Sequence, residues 1–277
     1  MIVEEWLARV GFVLVEPSHV GNIGAVARAM KTMGLRQLVV VAPRDRQFAS
    51  APEALAFASG AGDVLAAARV VESLDEALAG TVAQIATASS PREFGATTMD
   101  PDAAAALALQ ETWGLRSAAP APASAPTQPV PSASPRYSVA FVFGTERVGL
   151  SIAQTQRCSH FAMIPTAPGC DSLNLAQAAQ VFGWSLRRAA LVEVALGRAA
   201  LAVAAPLKGL QYASHEQVEG LFEHLEQTLL RIGYLDPLQP KRLMPRLRNL
   251  FGRTRLDGAE VDLLRGICRA ISKGFVP

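Results

Sequence analysis

Residues 12–42 read FVLVEPSHVGNIGAVARAMKTMGLRQLVVVA: an apolar run, a glycine-containing turn with a helical stretch, and a second apolar run. The two apolar runs are rich in β-branched residues, as strands buried on both faces are. Three similar runs follow, at 82–87, 139–143 and 161–164. Helical stretches lie between the runs, at 22–33, 73–79 and 101–112, and a long one at 173–196 follows the last run. This alternation predicts an α/β fold with a mostly parallel sheet and helices on both faces.

The pattern changes in two places along the chain. Residues 117–135 are rich in proline, alanine and serine and carry no charge, which is typical of an extended insertion within one domain. After residue 206 only helical patterns remain, at 216–232, 241–255 and 258–271. We therefore expect a sheet domain over 1–205 and a small all-helical appendage over 206–277, which supports either substrate binding or dimer formation.

The composition excludes several classes of protein. About half of the residues are apolar and 18% are charged, as in a globular protein, and the net charge of +2 does not by itself indicate nucleic-acid binding. The amino terminus lacks a signal-peptide pattern, and charges interrupt the longest apolar tract, so we expect no membrane span. Three scattered cysteines predict reduced thiols in a cytoplasmic protein, and no histidine or cysteine spacing indicates a metal site.

The first loop that could carry chemistry is GNIGAVAR, directly after the first apolar run. Asn22 is a candidate N-cap of the following helix. At roughly 100° per residue, Arg28 lies far from the apolar stripe of that helix. Its neighbours on the outer face are small: Gly24, Ala25 and Thr32. We therefore expect Arg28 to be accessible to a phosphate or a partner subunit, and a solvated surface arginine is the alternative.

A second loop, FGTERVGLS, follows the fourth apolar run. Gly144 and Gly149 have the spacing of a P-loop, but the phosphate-binding lysine is missing, which excludes a nucleotide triphosphatase. The chain has no GxGxxG motif either, so a dinucleotide-binding fold has no support. A plain strand-to-helix turn is the alternative, although Glu146 and Arg147 are unusual in such a turn.

A third loop, IPTAPGCDSLNLA at 164–176, and a shorter one at 87–90 also follow apolar runs. The third loop is rich in acceptors and helix-capping residues and suits a neutral ligand such as an adenine ring or an amino-acid moiety. All four loops are expected at the carboxyl ends of parallel strands, where open α/β sheets bind ligands. Their shared position predicts a common pocket.

Taken in order, these loops resemble the motifs of the SPOUT methyltransferases, most closely those of the TrmJ type. The matching stretches lie at 13–35, 141–150, 171–181 and 222–230. The resemblance implies a trefoil knot in the carboxyl-terminal part of the sheet domain, S-adenosylmethionine as cofactor and a homodimer with its pocket near the subunit interface. The implied reaction is methylation of a ribose 2′-hydroxyl in tRNA, at cytidine or uridine in the first position of the anticodon loop.

The resemblance also implies roles by position. It makes Arg28 the catalytic arginine that helps to activate the ribose hydroxyl. It adds to the catalytic set Asn22, Glu146, Ser172 and Asn174. The cofactor-binding positions that it implies are Thr87, Ala88, Ser89, Gly144, Ile164, Asp171, Ser172 and Leu173. Asp171 stands where the family pattern has a small hydroxyl residue. Thr145 and Ser90 stand where the pattern has arginines, and this loss of cations bears on the RNA-phosphate contacts more than on the reaction.

RNA binding is expected from local charge. The stretch 241–255 contains no acid, and its cations are predicted RNA contacts together with Arg28: Lys241, Arg242, Arg246, Arg248, Arg253 and Arg255. A solvated basic helix face is the alternative interpretation. Two other functions remain open, a ribosomal RNA 2′-O-methyltransferase of the same superfamily and a non-catalytic RNA-binding relative.

Overall fold

The computed structural model describes residues 2–89, 98–114, 137–170, 172–196 and 212–274, so the insertion at 117–135 lies outside the described residues. Seven strands form one sheet: β1 (Val10–Val15), β2 (Gln37–Val41), β3 (Arg69–Val71), β4 (Ala83–Ala88), β5 (Thr98–Met99), β6 (Val139–Phe143) and β7 (His160–Met163). Their order is β3-β2-β1-β6-β4-β7-β5, and all neighbouring strands pair in parallel. The predicted parallel α/β sheet is confirmed.

The central strands are buried on both faces, as their unbroken apolar runs predict. In β1, Phe12 and Leu14 belong to one core cluster, and Val13 and Val15 belong to the cluster on the other face. The edge strands β3 and β5 are three and two residues long and were not predicted. Their brevity explains this, because so few residues show no periodicity.

Within the described residues eight helices accompany the sheet, and those of ten or more residues begin and end within two residues of their predicted bounds. They are α1 (Ile2–Leu7), α2 (Val20–Met33), α3 (Pro52–Ala58), α4 (Gly62–Ala66), α5 (Leu74–Leu78), α6 (Pro101–Gly114), α7 (Ile152–Thr155) and α8 (Leu175–Ala195), with a 3-10 turn at Phe48–Ser50. The helices α2, α6 and α8 contribute to one core cluster, and α5 contributes to the other. The helices therefore cover both faces, as expected.

The start of α2 corrects two expectations. Its N-cap is His19, without a side-chain capping bond, so Asn22 lies inside the first turn and is not the cap. Gly24 does not face outward, because a Cβ at this position would lie 2.1 Å from the carbonyl oxygen of Ala54. Its small size allows α3 to pack against α2 and does not serve access to Arg28.

Three helices are described after residue 212: α9 (His215–Arg231), α10 (Leu243–Thr254) and α11 (Gly258–Gly274). They dock at the amino ends of β4 and β7, where the backbone N–H of His215 donates to the carbonyl of Thr81 at 3.0 Å. Ion pairs cross the same boundary and join Arg157 to Glu219 and Arg255 to Glu111. The helical region is therefore attached to the edge of the sheet opposite the one where the strands end.

Candidate active site

The loops at the carboxyl ends of β4, β6 and β7 surround one cavity of about 250 Å³. This volume is slightly below the usual range for small-molecule pockets, which begins at about 300 Å³. Seven of the predicted cofactor-binding residues line it: Thr87, Ala88, Ser89, Gly144, Ile164, Ser172 and Leu173. The eighth, Asp171, lies outside the described residues, as does Ser90. Three of the four loops that were expected to share a pocket therefore line this cavity, and the first loop, GNIGAVAR, does not.

The strand order explains why the cavity forms here. Strands β1, β2 and β3 lie side by side in chain order on one side of the sheet. Strand β4 lies on the other side of β1, and β6 lies between β1 and β4. Ligands bind where the direction of an open α/β sheet reverses, outside the carboxyl ends of its strands. Phe143 and Phe182 supply an apolar wall, with ring centroids 6.0 Å apart.

The loop after β6 is closed by its two glycines. Thr145 and Gly149 form an antiparallel bridge with hydrogen bonds of 3.2 and 2.9 Å between their backbones. A Cβ on Gly144 would lie 2.2 Å from the backbone carbon of Gly149, and Gly149 itself has φ of +68°. Only glycine fits both requirements without strain, so the spacing that resembles a P-loop closes a tight turn at the cavity wall.

Glu146 joins this turn to the start of α2. One carboxylate oxygen accepts hydrogen bonds from the backbone N–H and the hydroxyl of Ser18 at 3.1 and 2.8 Å. The other accepts from the backbone N–H of His19 at 3.3 Å and from the side-chain amide of Asn22 at 2.9 Å. Burial raises the pKa of the Glu146 carboxyl, but the hydrogen bonds from Asn22 and Ser18 outweigh it and lower the pKa to about 2. At neutral pH this carboxylate is therefore ionised and accepts the hydrogen bonds that join the loop after β6 to the start of α2.

Asn174 extends this network to the third loop. Its amide nitrogen donates to the Asn22 side-chain oxygen at 3.0 Å, and its own oxygen accepts from the backbone N–H of Ala176 at 2.8 Å, so Asn174 caps α8. Asn22, Glu146 and Asn174 were all predicted from the sequence and form one hydrogen-bonded chain. Ser18 was missed, and only its place between the first strand and the glycine turn could have indicated it.

Arg28 lies apart from this network. Its side chain is exposed on α2, does not line the cavity, and has no hydrogen-bond or ion-pair partner within the part of the chain that the structure describes. At 1.5 Å per residue, Arg28 is about 12 Å along the helix from Val20, the first residue of α2. The expected accessibility of Arg28 is confirmed, but one chain alone does not bring it to the cavity.

The basic stretch is divided between two environments. Lys241, Arg242 and Arg246 are exposed, and the side chain of Arg253 lies outside the described residues. Arg248 instead forms two hydrogen bonds with Glu219, at 2.6 and 2.8 Å, and is 18% exposed. Arg255 pairs with the buried Glu111 and is 16% exposed. Arg248 and Arg255 therefore point inward and neutralise buried carboxylates, which argues against the predicted RNA contacts at these two positions.

Two negative findings apply to the described residues. No group of three or more histidine, cysteine or acidic side chains among them could hold a metal ion. None of their helices is both long and apolar enough to cross a membrane.

Comparison with known proteins places this geometry in a family. The model of the SpoU rRNA Methylase family matches residues 9–184, more than half of the chain. The chain belongs to the SpoU rRNA methylase family. The model of the tRNA methyltransferase TrmJ C-terminal domain also matches, at residues 216–275, which include most of α9 and all of α10 and α11.

Relatives of this SpoU family member match nearly its whole length. It is 37% identical to the tRNA (cytidine/uridine/adenosine-2′-O-)-methyltransferase TrmJ of Pseudomonas aeruginosa (strain UCBPP-PA14), over 96% of this chain and 95% of the relative. It is 39% identical to the tRNA (cytidine/uridine-2′-O-)-methyltransferase TrmJ of Salmonella choleraesuis (strain SC-B67), over 96% and 98%. The crystal structure of TrmJ from Z. mobilis ZM4 superposes with a TM-score of 0.71 at 28% identity, over 94% and 98%. The resemblance to TrmJ-type enzymes is confirmed.

Proposed function

We propose that this chain transfers a methyl group from S-adenosylmethionine to a ribose 2′-hydroxyl of tRNA. The observation that carries the proposal is the single cavity that β4, β6 and β7 form with their loops, lined by seven of the eight residues expected to bind the cofactor. The TrmJ relatives, which match over nearly the whole chain, support tRNA as the substrate class.

The residues around the cavity fit S-adenosylmethionine. Phe143, Phe182 and Leu175 offer apolar surface for an adenine ring, and Thr87, Ser89 and Ser172 offer hydroxyls. The tight approach of Gly144 to Gly149 leaves backbone groups at the cavity wall. When bound, the cofactor supplies an electrophilic methyl group on a positively charged sulfur. The chain supplies a closed site that aligns it.

The protein must also favour loss of the ribose hydroxyl proton. We assign this to Arg28, whose guanidinium has no competing partner among the described side chains and stabilises a developing alkoxide electrostatically. Arginine does not act as the base, because its pKa exceeds about 12. An adjacent RNA phosphate is the group that we expect to accept the proton.

The position of Arg28 supports a homodimer. Arg28 does not line the cavity of its own chain, so we infer that a second copy brings an arginine and a cavity together. The helix α8, which packs against α2, exposes the apolar side chains of Trp184, Leu191 and Val192. Exposed apolar surface of this kind is typical of a subunit interface. Sedimentation of the purified chain as a dimer would support this arrangement.

The finer expectations belong to the same proposal. They are the first anticodon-loop position as the target, a cytoplasmic location, a trefoil knot through the loops around the cavity, and a division into a 1–205 methyltransferase domain and a 206–277 helical domain. The two family models, which match separate stretches, support the division. The names of the relatives differ on whether adenosine is accepted, so the base at the target is tested with tRNAs that differ there.

The test is Arg28→Ala, with Arg36→Ala as the matched control. Arg36 is an exposed arginine just after α2, and its ion pair with Asp63 is 3.8 Å long. Methyl transfer should collapse in Arg28→Ala while S-adenosylmethionine affinity stays near that of the wild type, and Arg36→Ala should behave normally. Unimpaired turnover of Arg28→Ala would eliminate the proposed role. Nucleoside mass spectrometry of tRNA and ribosomal RNA from a deletion strain distinguishes the two RNA substrates.

A further inference from the structure

A second cavity lies in the helical region, between the end of α9 and the start of α10. It has a volume of about 300 Å³, and its lining includes Tyr234, Lys241 and Arg246. None of its lining residues belongs to the sheet domain or to the cavity at the strand ends. An aromatic ring beside two cations is the combination that binds single-stranded nucleic acid.

Tyr234 is held by its backbone but presents its side chain to solvent. Its N–H donates to the carbonyl of Leu229 at 3.0 Å, and the preceding Gly233 makes the turn with φ of +71°. The side chain is 70% exposed. A large aromatic ring on a fixed turn loses little conformational entropy when a flat partner stacks on it.

The cations beside the ring are available for anions. The side chains of Lys241 and Arg246 are exposed and form no ion pair with the described residues. Lys241 and its neighbour Arg242 both have left-handed backbones, with φ of 45° and 58°. Such a conformation is unfavourable for non-glycine residues and is found most often at functional positions. The nearby Asp236 carboxylate accepts from the backbone N–H of Leu238 at 2.8 Å, so it is engaged within its own turn.

We propose that this cavity binds an unpaired nucleotide of tRNA, with its base stacked on Tyr234 and the flanking phosphates on Lys241 and Arg246. Stacking on an aromatic side chain and phosphate contacts by exposed cations are how proteins hold unpaired RNA bases. The assignment rests on tRNA being the substrate. It also leaves Arg248 and Arg255 out of the expected RNA contacts, because both are engaged in internal ion pairs.

The test measures binding of a labelled unmodified tRNA transcript to the full-length chain by fluorescence anisotropy over a range of salt concentrations. Tyr234→Ala should weaken binding by about 5- to 100-fold at fixed salt and leave the salt dependence unchanged, because it removes stacking and no charge. Tyr234→Phe, which keeps the ring, should bind like the wild type. Lys241→Gln and Arg246→Gln should each reduce the salt slope by about one.

Phe57→Ala is the matched control, since Phe57 is an aromatic side chain of α3 that is 53% exposed. Equal binding by Tyr234→Ala and Phe57→Ala would overturn the subsite, as would a loss in Tyr234→Phe as large as in Tyr234→Ala. A change of oligomeric state in Tyr234→Ala would also overturn it and assign the cavity to self-association. Unchanged S-adenosylmethionine affinity in Tyr234→Ala would exclude misfolding as the cause of weaker binding. Methyl transfer by the wild type is scored separately, so the subsite and the proposed reaction can fail independently.

Discussion

In the hydrogen-bonded chain of side chains from α8 to Glu146, every bond is donated in the same direction. Glu146→Gln tests whether the carboxylate fixes this direction. The chain begins at the backbone N–H of Ala176, which only donates, and ends at an ionised carboxylate, which only accepts. Between them, Asn174 and Asn22 each accept through oxygen and donate through nitrogen. Neither amide can turn over without placing two donors or two acceptors against each other. Both ends together therefore fix both orientations.

The cost of a glutamine at position 146, in free energy of unfolding, follows from the hydrogen bonds that it changes. Its oxygen can keep the bonds from His19 and Asn22, but its nitrogen then faces the N–H of Ser18, while the Ser18 hydroxyl rotates to accept. One donor loses its partner, at about 1–3 kcal/mol, and the remaining bonds lose their charge. Allowing for partial exposure, we expect a loss of about 2–4 kcal/mol in the free energy of unfolding, or about 3–7 °C in Tm for a chain of 277 residues.

Thermal unfolding of Glu146→Gln and Glu16→Gln gives the comparison. Glu16 lies on the same edge of the sheet, is exposed, and accepts one hydrogen bond from the side chain of Gln154 at 3.2 Å. The control also removes one negative charge, and its stability should stay within about 0.5 kcal/mol of the wild type. If Glu146→Gln and Glu16→Gln have the same Tm, the carboxylate does not orient the two asparagines and the reasoning is refuted.

Two further predictions concern the helical region and acid stability. Arg248→Gln should lower the free energy of unfolding by about 2–3 kcal/mol, because it removes two charged hydrogen bonds to the largely buried Glu219, whereas the exposed Arg246→Gln should not. Equal stability of these two variants would contradict the inward assignment. Burial, with a smaller contribution from a nearby arginine, lowers the pKa of His160 from 6.5 to about 4. The unfolded chain therefore binds the proton first, and stability should fall by up to about 1.4 kcal/mol per unit as the pH drops from 6.5 towards 4, with protonation of Glu146 adding to the loss below about 4.5. Urea titrations at roughly pH 7.5 and 5 measure this loss of stability. If stability falls as much in His160→Gln as in the wild type, another group causes the loss.

The sequence predicted the central strands well because their signal is local. In β1, β2 and β6, consecutive residues face two buried surfaces, so composition alone marks them. Loop positions at strand ends then follow from the parallel sheet, which is why most cofactor-binding positions converge on one cavity. The edge strands β3 and β5 are too short to carry this signal.

Contacts between residues distant in sequence could not be predicted from the sequence. Asn22 is a plausible helix cap by its residue type, but α2 begins earlier because Glu146, from a loop over a hundred residues away, accepts from the backbone of Ser18 and His19. A carboxylate at this position also interacts favourably with the positive end of the helix dipole. Similarly, Gly24 is explained only by the approach of α3.

The helix α10 shows why a count of charges does not define a binding surface. Arg246 and Arg248 are two residues apart, about 200° around a helix, so they face opposite sides. Arg248 fixes the helix against Glu219, and its internal pairing removes it from any count of phosphate contacts. The same pairing holds Arg246 and the neighbouring Tyr234 cavity in place, so substitution of Arg248 weakens RNA binding indirectly if the helix shifts. Affinity alone therefore does not separate the two roles. The salt slope does, because it counts only the cations that replace counterions on the RNA.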